Sequence, residues 1–415
     1  MSMEWIVGFL ALVGLSASFW AFVGIARYIQ EKYMSRMGPR NAADRILPAE
    51  VAVMVPAYNE ELCIEKTLKS LFKIVPKKNV YVGSDSSSDR TFEIAKKQGC
   101  NVASIRPNRG KAKVLAFLLK RFDLLKRYKA VIIVDADTEI DENYLKEALP
   151  ILENPKVAAI AGHAVTKWKN HYFPRWSMFF IAYRVRLYKV LQAMIRYGQT
   201  WFYTNVTIII PGFASIYKTS ALKNIEIDAP GLIIEDFNMT FELHRKKLGK
   251  IGYNPKAFGA CQDPFNLRDY VRQVDRWNLG FWQTVKRHGV WPSFFWAALS
   301  VLLIEMTFYG FFMLFMPFIF EWYFLTSYAS FSIPYMREMF GFGRVEFRDM
   351  FIAVFAVDYT VTAVVAFLEK KPILLFYGLG FIFLRIIDAY MFITNAFRAF
   401  FIESDGTWKS PERRL

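Results

Sequence analysis

Residues 291–330 form a nearly unbroken apolar stretch, and no other feature of the chain limits its folding as strongly. In lipid such a run must satisfy every backbone N–H and C=O within itself, which means helix. Roughly 20 apolar residues cross a bilayer, so about 40 are enough for two crossings. Two more apolar runs follow at 349–368 and 373–397, and one opens the chain, "MSMEWIVGFLALVGLSASFWAFVGIAR". The composition agrees, since 54% hydrophobic and 17% aromatic residues in a chain of 415 exceed what a soluble domain of that length carries.

Charge orients these runs. A signal peptide needs positive charge ahead of its apolar core, whereas the early charge here is Glu4, and Arg27, Lys32, Arg36 and Arg40 follow the run. The positive-inside rule predicts an uncleaved anchor over 1–28 with the N-terminus outside. A single span over 291–330 would leave Arg337, Arg344, Arg348, Lys409, Arg413 and Arg414 outside; a hairpin turning near Gly310 brings them inside and leaves Lys370 and Lys371 out. The expectation is five spans, about four of them within 291–398, and a cytoplasmic tail over 399–415. Within them Glu305, Asp358, Arg385 and Asp388 must be paired or face a wet path. Arg385 and Asp388, three apart, could neutralise each other on one helix, the alternative being that some of these charges line a polysaccharide channel.

The net charge of +16 fits cytoplasmic loops beside a membrane, and no nucleic-acid motif accompanies it, so no nucleic-acid partner is expected. Cys63, Cys100 and Cys261 stand far apart and in odd number, as in a reducing compartment.

From about 48 to 165 the pattern changes to short apolar strands ending in polar turns, "VAVMVPAYNE", "NVYVGSDSSSDRT", "NVASI" and "AVIIVDADTEI", with helical patterns between them. This alternation predicts an α/β domain with a doubly wound, mostly parallel sheet, whose ligands bind beyond the carboxyl ends of the strands. The turns there are acidic: Glu60 follows the first strand, Asp85 and Asp89 the second, Asp135 and Asp137 the fourth. An Asp-x-Asp leaving a buried strand points two carboxylates the same way, which suits a hard cation shared with a diphosphate. Alone, such a pair is most often a solvated turn; acidic turns repeated along one sheet edge are harder to dismiss. "NRGKAKVLAF" has a Gly-Lys but no glycine cradle, which argues against a P-loop nucleotidase.

Together "PAYNE", "SDSSSDRT", "NRGKA", "VDADTEI", "IIEDFNMTFEL" and "QVDRW", in this order, resemble the motifs of the family 2 membrane glycosyltransferases with a GT-A fold. With its apolar C-terminal segments, the chain is similar to the processive synthases of poly-N-acetylglucosamine, hyaluronan, chitin and cellulose. The final "WKSPERR" looks most like the first of these. The resemblance implies a Rossmann-like cytoplasmic domain over 48–290 fused to a helical transmembrane region over 291–398, in the plasma membrane. It implies an inverting, metal-dependent transfer from a UDP-sugar, UDP-N-acetylglucosamine being the expected donor. The acceptor would be a growing β-linked polysaccharide that passes through the enzyme's own spans.

The resemblance also assigns roles. Ala57, Tyr58, Glu60, Asp85 and Lys111 would hold the donor's uridine, Asp135 and Asp137 the ribose and a Mg²⁺ or Mn²⁺ ion. Asp236, with Glu235 beside it, takes the place of the base that removes the acceptor's proton. The same two acids also read as a favourable helix N-terminus. The family's Gln-x-x-Arg-Trp falls on Gln273, Arg276 and Trp277, which share one face of a helix while Val274 and Asp275 turn away. Arg276 would grip the leaving diphosphate, Trp277 offer a flat face to the acceptor sugar and Gln273 orient that end. The competing reading is an interfacial helix with a snorkelling arginine and an anchoring tryptophan. Ser84 departs from the family, standing where many relatives have aspartate, and so does Lys218, where many have arginine.

Two interfacial helices are expected, at about 172–198 and 266–288. In the first, Trp176, Phe180, Tyr183, Leu187, Val190 and Met194 recur at helical spacing, with Arg175, Arg186, Lys189 and Arg196 largely opposite. This predicts a helix lying on the cytoplasmic leaflet of the lipid bilayer, because in a core helix the four cations would lack partners. An accessory membrane subunit stays open. Two other functions stand as alternatives: transfer of one sugar to a polyprenyl phosphate or lipid, and a non-catalytic subunit of a polysaccharide exporter. Enzymes of the first kind usually lack Gln-x-x-Arg-Trp, and a silent relative would be expected to have lost Asp137, Asp236 or Arg276.

Overall fold

The computed structural model describes residues 14–34, 45–168, 175–326 and 347–403. An eight-stranded sheet carries the acidic turns. Its strands are β1 (Val51–Ala57), β2 (Val80–Asp85), β3 (Asn101–Ile105), β4 (Ala130–Val134), β5 (Glu139–Ile140), β6 (Val157–Thr166), β7 (Ala214–Lys218) and β8 (Lys250–Cys261), in the order β3-β2-β1-β4-β7-β6-β8-β5. Helix α1 (Leu15–Met34) precedes them. Helices α2 (Ile64–Leu71), α3 (Thr91–Lys97), α4 (Lys111–Arg121) and α5 (Tyr144–Leu152) lie between strands.

β1 is apolar throughout because both of its faces are covered, and all its residues are buried. Val51, Val53 and Val55 join Ile64, Leu68 and Leu71 of α2 in one core. Ala52 and Met54 join Val114, Leu115 and Leu118 of α4 in the other. β3-β2-β1-β4 are parallel neighbours, as the alternation predicts. Beyond β4 the expectation of a mostly parallel sheet is corrected. β7 runs antiparallel to β4 and β6, and β5 antiparallel to β8, so the sheet is mixed. β7 is reached from β6 through a long excursion across other helices, and no short crossover helix fixes its direction.

That excursion contains α6 (Trp176–Val190), which continues as a π-helical turn over Leu191–Arg196. After β7 come α7 (Glu235–Arg245), α8 (Leu267–His288), α9 (Phe294–Thr326), α10 (Phe347–Leu368), α11 (Ile373–Gly378) and α12 (Phe381–Phe401). The free cysteines, Cys63, Cys100 and Cys261, form no disulfide.

Three further expectations are corrected here. α9 runs unbroken through Gly310, so the hairpin is absent and the described C-terminal residues form three long helices. A mid-helix glycine costs only about 1 kcal/mol relative to alanine, too little to break a helix in apolar surroundings. Gly310 instead meets Ile393 of α12. Of the charges behind the hairpin, Arg337, Arg344, Lys409, Arg413 and Arg414 lie outside the described residues.

Second, α6 does not present its cations to lipid. Arg186 is buried and donates to Asp358 of α10 at 2.5 Å, Lys189 pairs with Glu369 at 2.8 Å, and Arg196 donates to the Gly162 carbonyl. Met178, Tyr183 and Val185 pack with Tyr270, Leu374, Phe381 and Leu384. The helix is wedged among protein, and these three cations have the partners that a core position requires, whereas Arg175, just ahead of the helix, is exposed.

Third, Arg385 and Asp388 do not pair with each other. Arg385 joins Arg186 on Asp358, whereas Asp388 accepts from the hydroxyls of Tyr183 (2.8 Å) and Tyr270 (2.5 Å). Glu305 of α9 accepts from the Ser16 N–H in the first turn of α1, where the helix itself offers no partner.

Arg27, counted among the membrane-flanking charges, ties α1 to the sheet domain. It is buried and donates to the carbonyls of Tyr197 (2.7 Å) and Tyr253 (2.9 Å) and to Thr200 Oγ1 (2.9 Å). Gly198 lets the backbones touch there, since a Cβ on it would fall 2.2 Å from the Trp20 carbonyl oxygen. Among the described residues, Phe294–Ile319 is the one helical segment both long and apolar enough to cross a membrane. Phe22, Phe308, Phe318, Phe367 and Phe401, on α1, α9, α10 and α12, each expose more than half of their surface.

Candidate active site

The carboxyl ends of β1, β2 and β4 converge, as parallel neighbours must. Ala57 closes β1, its side chain in the core, so its backbone is what it offers to a ligand. Tyr58 is half-buried and Glu60 buried on the turn that follows. Asn59, at φ 54°, accepts from the Ser88 N–H at 2.9 Å and knits this turn to the one after β2. Asp89, read as one of the edge carboxylates, binds the N–H groups of Glu61 and Thr91 and so braces the loops.

Asp85 is fully buried at the end of β2 and accepts from the backbone N–H groups of Arg109 (2.9 Å) and Gly110 (2.7 Å). Gly110, at φ 82°, supplies the left-handed turn that aims its N–H there and starts α4. Burial raises the Asp85 pKa, against the pull of those two N–H groups. Lys111, first residue of α4, then reaches across the edge. Its ammonium lies 2.7 Å from Asp135, 3.0 Å from Glu235 and 3.2 Å from the Gly212 carbonyl.

Glu235 and Asp236 open α7. Asp236 accepts from the Gly212 N–H (3.3 Å) and, at the helix N-terminus, from the Phe237 N–H (2.8 Å). Burial, with the charge of Glu235 adding to it, pushes the Asp236 carboxyl up to about 7, against the opposing pull of Lys111 and the two N–H groups. Burial pulls Lys111 down, but Asp135, Glu235 and Asp236 outweigh it and hold the ammonium well above its ordinary pKa. Asp135 is raised by burial, with Lys111 opposing and Asp137 adding to the shift. A carboxyl that titrates near neutrality at a helix N-terminus is suited to accept a proton.

Asp137 is buried; Thr138 Oγ1 donates to its carboxylate at 3.3 Å and Lys167 to its carbonyl at 3.1 Å. Among the described residues no three His, Cys, Asp or Glu side chains form a ready-made metal cage. The available donors, Asp137 with Asp135 in the same turn, are hard oxygens that suit Mg²⁺ or Mn²⁺ when a diphosphate completes the sphere. The mutual repulsion of the two carboxylates is what a dication relieves.

Gln273, Arg276 and Trp277 lie on α8 on the face expected. Gln273 faces α6, where its Oε1 accepts from Arg184 at 2.7 Å, and the Arg184 guanidinium lies 4.5 Å from the Trp277 ring centre. Val274 is buried, and Asp275 turns to α12, accepting from Asn395 (2.8 Å) and Arg398 (2.5 Å). Arg276 is half-buried. α8 packs on the start of α7 through the Phe237–Phe281 ring contact and a bond from the Ile233 N–H to Gln283. Lys218 points elsewhere, donating to the Asn154 carbonyl, and Ser84 bonds to Ser87.

Gly212 and Arg184 escape the sequence reading. Gly212 carries only a short "PGF" as its signal. Arg184 stands on the apolar stripe of α6, four residues after Phe180 and three before Leu187, where a cation is out of place.

A GT-A-like mixed sheet, with carboxylates along one edge and an acid at the adjoining helix start, fits a glycosyltransferase. The family model described as Glycosyl transferase family group 2 matches residues 130–367, and the chain belongs to that family. The poly-β-1,6-N-acetyl-D-glucosamine synthase of Staphylococcus epidermidis is 27% identical over 252 residues, 57% of either chain. The hyaluronan synthase of Streptococcus pyogenes is 26% identical over 258 residues, 56% of this chain and 57% of that one. The match thus spans little more than half the length of these relatives. A solved mannosyltransferase from Pyrobaculum calidifontis, in complex with GDP-Man and Mn²⁺, shares the fold at a TM-score of 0.50 and 17% identity, over 95% of this chain and 98% of that one.

Proposed function

We propose that the protein is an inverting polysaccharide synthase that transfers N-acetylglucosamine from UDP-N-acetylglucosamine to a growing β-linked chain and passes the product across the membrane. The observation that carries this reading is the convergence of Lys111, Asp135, Glu235 and Asp236. The Gln273, Arg276 and Trp277 face adds to it on the neighbouring helix. The similarity to the poly-N-acetylglucosamine and hyaluronan synthases supports the donor and the polymer.

In this reading Asp85, Glu60, Tyr58 and the Ala57 backbone hold the uridine, Lys111 and Asp135 its ribose side, and Asp137 a divalent ion. That ion would neutralise charge on the departing diphosphate. The acceptor hydroxyl lies against Trp277 and gives its proton to Asp236 as its oxygen bonds to the sugar's anomeric carbon. The bond from that carbon to the diphosphate breaks on the opposite face, and Arg276 holds the UDP as it leaves. The exposed phenylalanines of α1, α9, α10 and α12 support embedding in a bilayer; the sheet domain would face the cytoplasm.

The test is UDP release and product size from detergent-purified protein given UDP-N-acetylglucosamine with Mg²⁺ or Mn²⁺, with Asp236→Asn as control. A long polymer that disappears in the variant supports the reading; single-sugar products favour transfer to a lipid. Silence with this donor rejects it, and GDP-mannose is then tried, because the solved mannosyltransferase was captured with GDP-Man. Silence with every nucleotide sugar would favour the non-catalytic subunit.

A further inference from the structure

Arg184 lies at the middle of α6 with no solvent exposure. Its hydrogen-bond partner is Gln273 Oε1 at 2.7 Å, while its Nε and Nη1 find none. The guanidinium lies over two rings of α8, 4.9 Å from the centre of Tyr270 and 4.5 Å from that of Trp277. Tyr270 is itself fixed by its hydroxyl bond to Asp388 of α12. A leucine would suit this stripe of α6 better than a buried cation with unused donors, so packing alone does not account for an arginine here. What the arginine does, and leucine would not, is engage two motif residues at once: the amide of Gln273 by hydrogen bond and the indole of Trp277 by its flat cationic face.

We propose that Arg184 is a positioning residue for the acceptor, setting the amide of Gln273 and the ring plane of Trp277 in the one arrangement that receives the terminal sugar. The proposal rests on the reading that Gln273 and Trp277 contact the acceptor. Arg184 touches neither the donor-binding turns nor Asp236, but its charge also reaches the Asp263 carboxyl, opposing the rise that burial imposes there, so acceptor affinity and donor use must be read separately.

The experiment measures R184Q, R184K and W277A with UDP-N-acetylglucosamine and a β-linked N-acetylglucosamine pentasaccharide as the acceptor probe. The acceptor KM, the donor KM, kcat and the slow release of UDP to water are followed separately. R184Q should raise the acceptor KM about tenfold or more with donor KM and UDP release to water unchanged. R184K, which keeps the charge but loses the planar fork, should rescue only a minor part. If W277A raises the acceptor KM and R184Q does not, the positioning role is wrong while the acceptor reading stands. If W277A leaves the acceptor KM unchanged, the acceptor reading itself fails and takes the proposal with it. A uniform drop in all four quantities for R184Q, together with a lowered Tm, would reduce Arg184 to a structural residue. Should R184Q fail to fold, Asp388→Ala removes the acceptor that fixes Tyr270 without touching the motif and must give the same split in weaker form; an unchanged acceptor KM there overturns the proposal.

Discussion

The ammonium of Lys111 lies 3.0 Å from a carboxylate oxygen of Glu235, and this contact joins the parallel half of the sheet to the helix that begins with Glu235 and Asp236. Lys111 stands at the first turn of α4, and Asp135 completes the bridge at 2.7 Å. One cation thus balances acids from two elements, and its removal should be felt on both. Lys111→Met is expected to lower kcat/KM about a hundredfold or more. Because Lys111 holds the Asp236 pKa down, the acidic limb of the pH profile should move to higher pH in the variant. A pH–rate series on the two proteins checks both parts.

Asp236 sets the second prediction. Activity requires the ionised carboxylate, so the rate should fall as pH drops below about 7. Asp236→Asn should cost about 10²–10⁴-fold in kcat. Its stability should respond in the opposite sense. The folded-state pKa lies above the unfolded value of about 3.9, so this group's stabilising contribution is complete below that value and is lost as pH rises through the folded pKa. The variant has no such loss, and thermal unfolding on either side of neutrality should find its Tm rising relative to the parent on the alkaline side.

The Arg186–Asp358–Arg385 group predicts a large structural effect. Asp358 is buried and balances two guanidinium groups, one from α6 and one from α12. Asp358→Asn leaves both without a counter-charge and should destabilise the protein by about 3–5 kcal/mol. Arg385→Met leaves the Arg186 pair intact and should cost less. Unfolding in detergent ranks the two, and an equal loss would contradict the arrangement.

Arg27 gives the last prediction. Arg27→Met leaves the buried Tyr253 carbonyl unpaired and removes the bonds to Tyr197 and Thr200, a loss of about 3 kcal/mol centred on the contact between α1 and the sheet domain. Limited proteolysis should detach α1 sooner in the variant than in the parent, while the sheet core stays resistant.

Much of the site was legible because it is local in sequence. A strand buried on both faces reads as an apolar run, and the acids follow directly where β1, β2 and β4 end, so Glu60, Asp85 and Asp135 could be found without knowing the fold. The face shared by Gln273, Arg276 and Trp277 follows from helical spacing alone. Loop charge alone points to a turn near Gly310, but one glycine breaks no helix that neighbours support, and α9 continues through it.

Local patterns carried the first four strands, the acidic turns, the helical spacing of the motif and the apolar character of the C-terminal runs, since each is written in residues a few positions apart. Which charges meet was settled by long-range packing. Arg186 finds Asp358 across 172 residues, Arg27 finds Tyr253 across 226, and Lys111 closes on Glu235 from another element. The antiparallel course of β7 and the place of Arg184 over Trp277 were decided there too. A buried charge must be paired, but which partner meets it depends on how distant segments pack, and no local pattern carries that information.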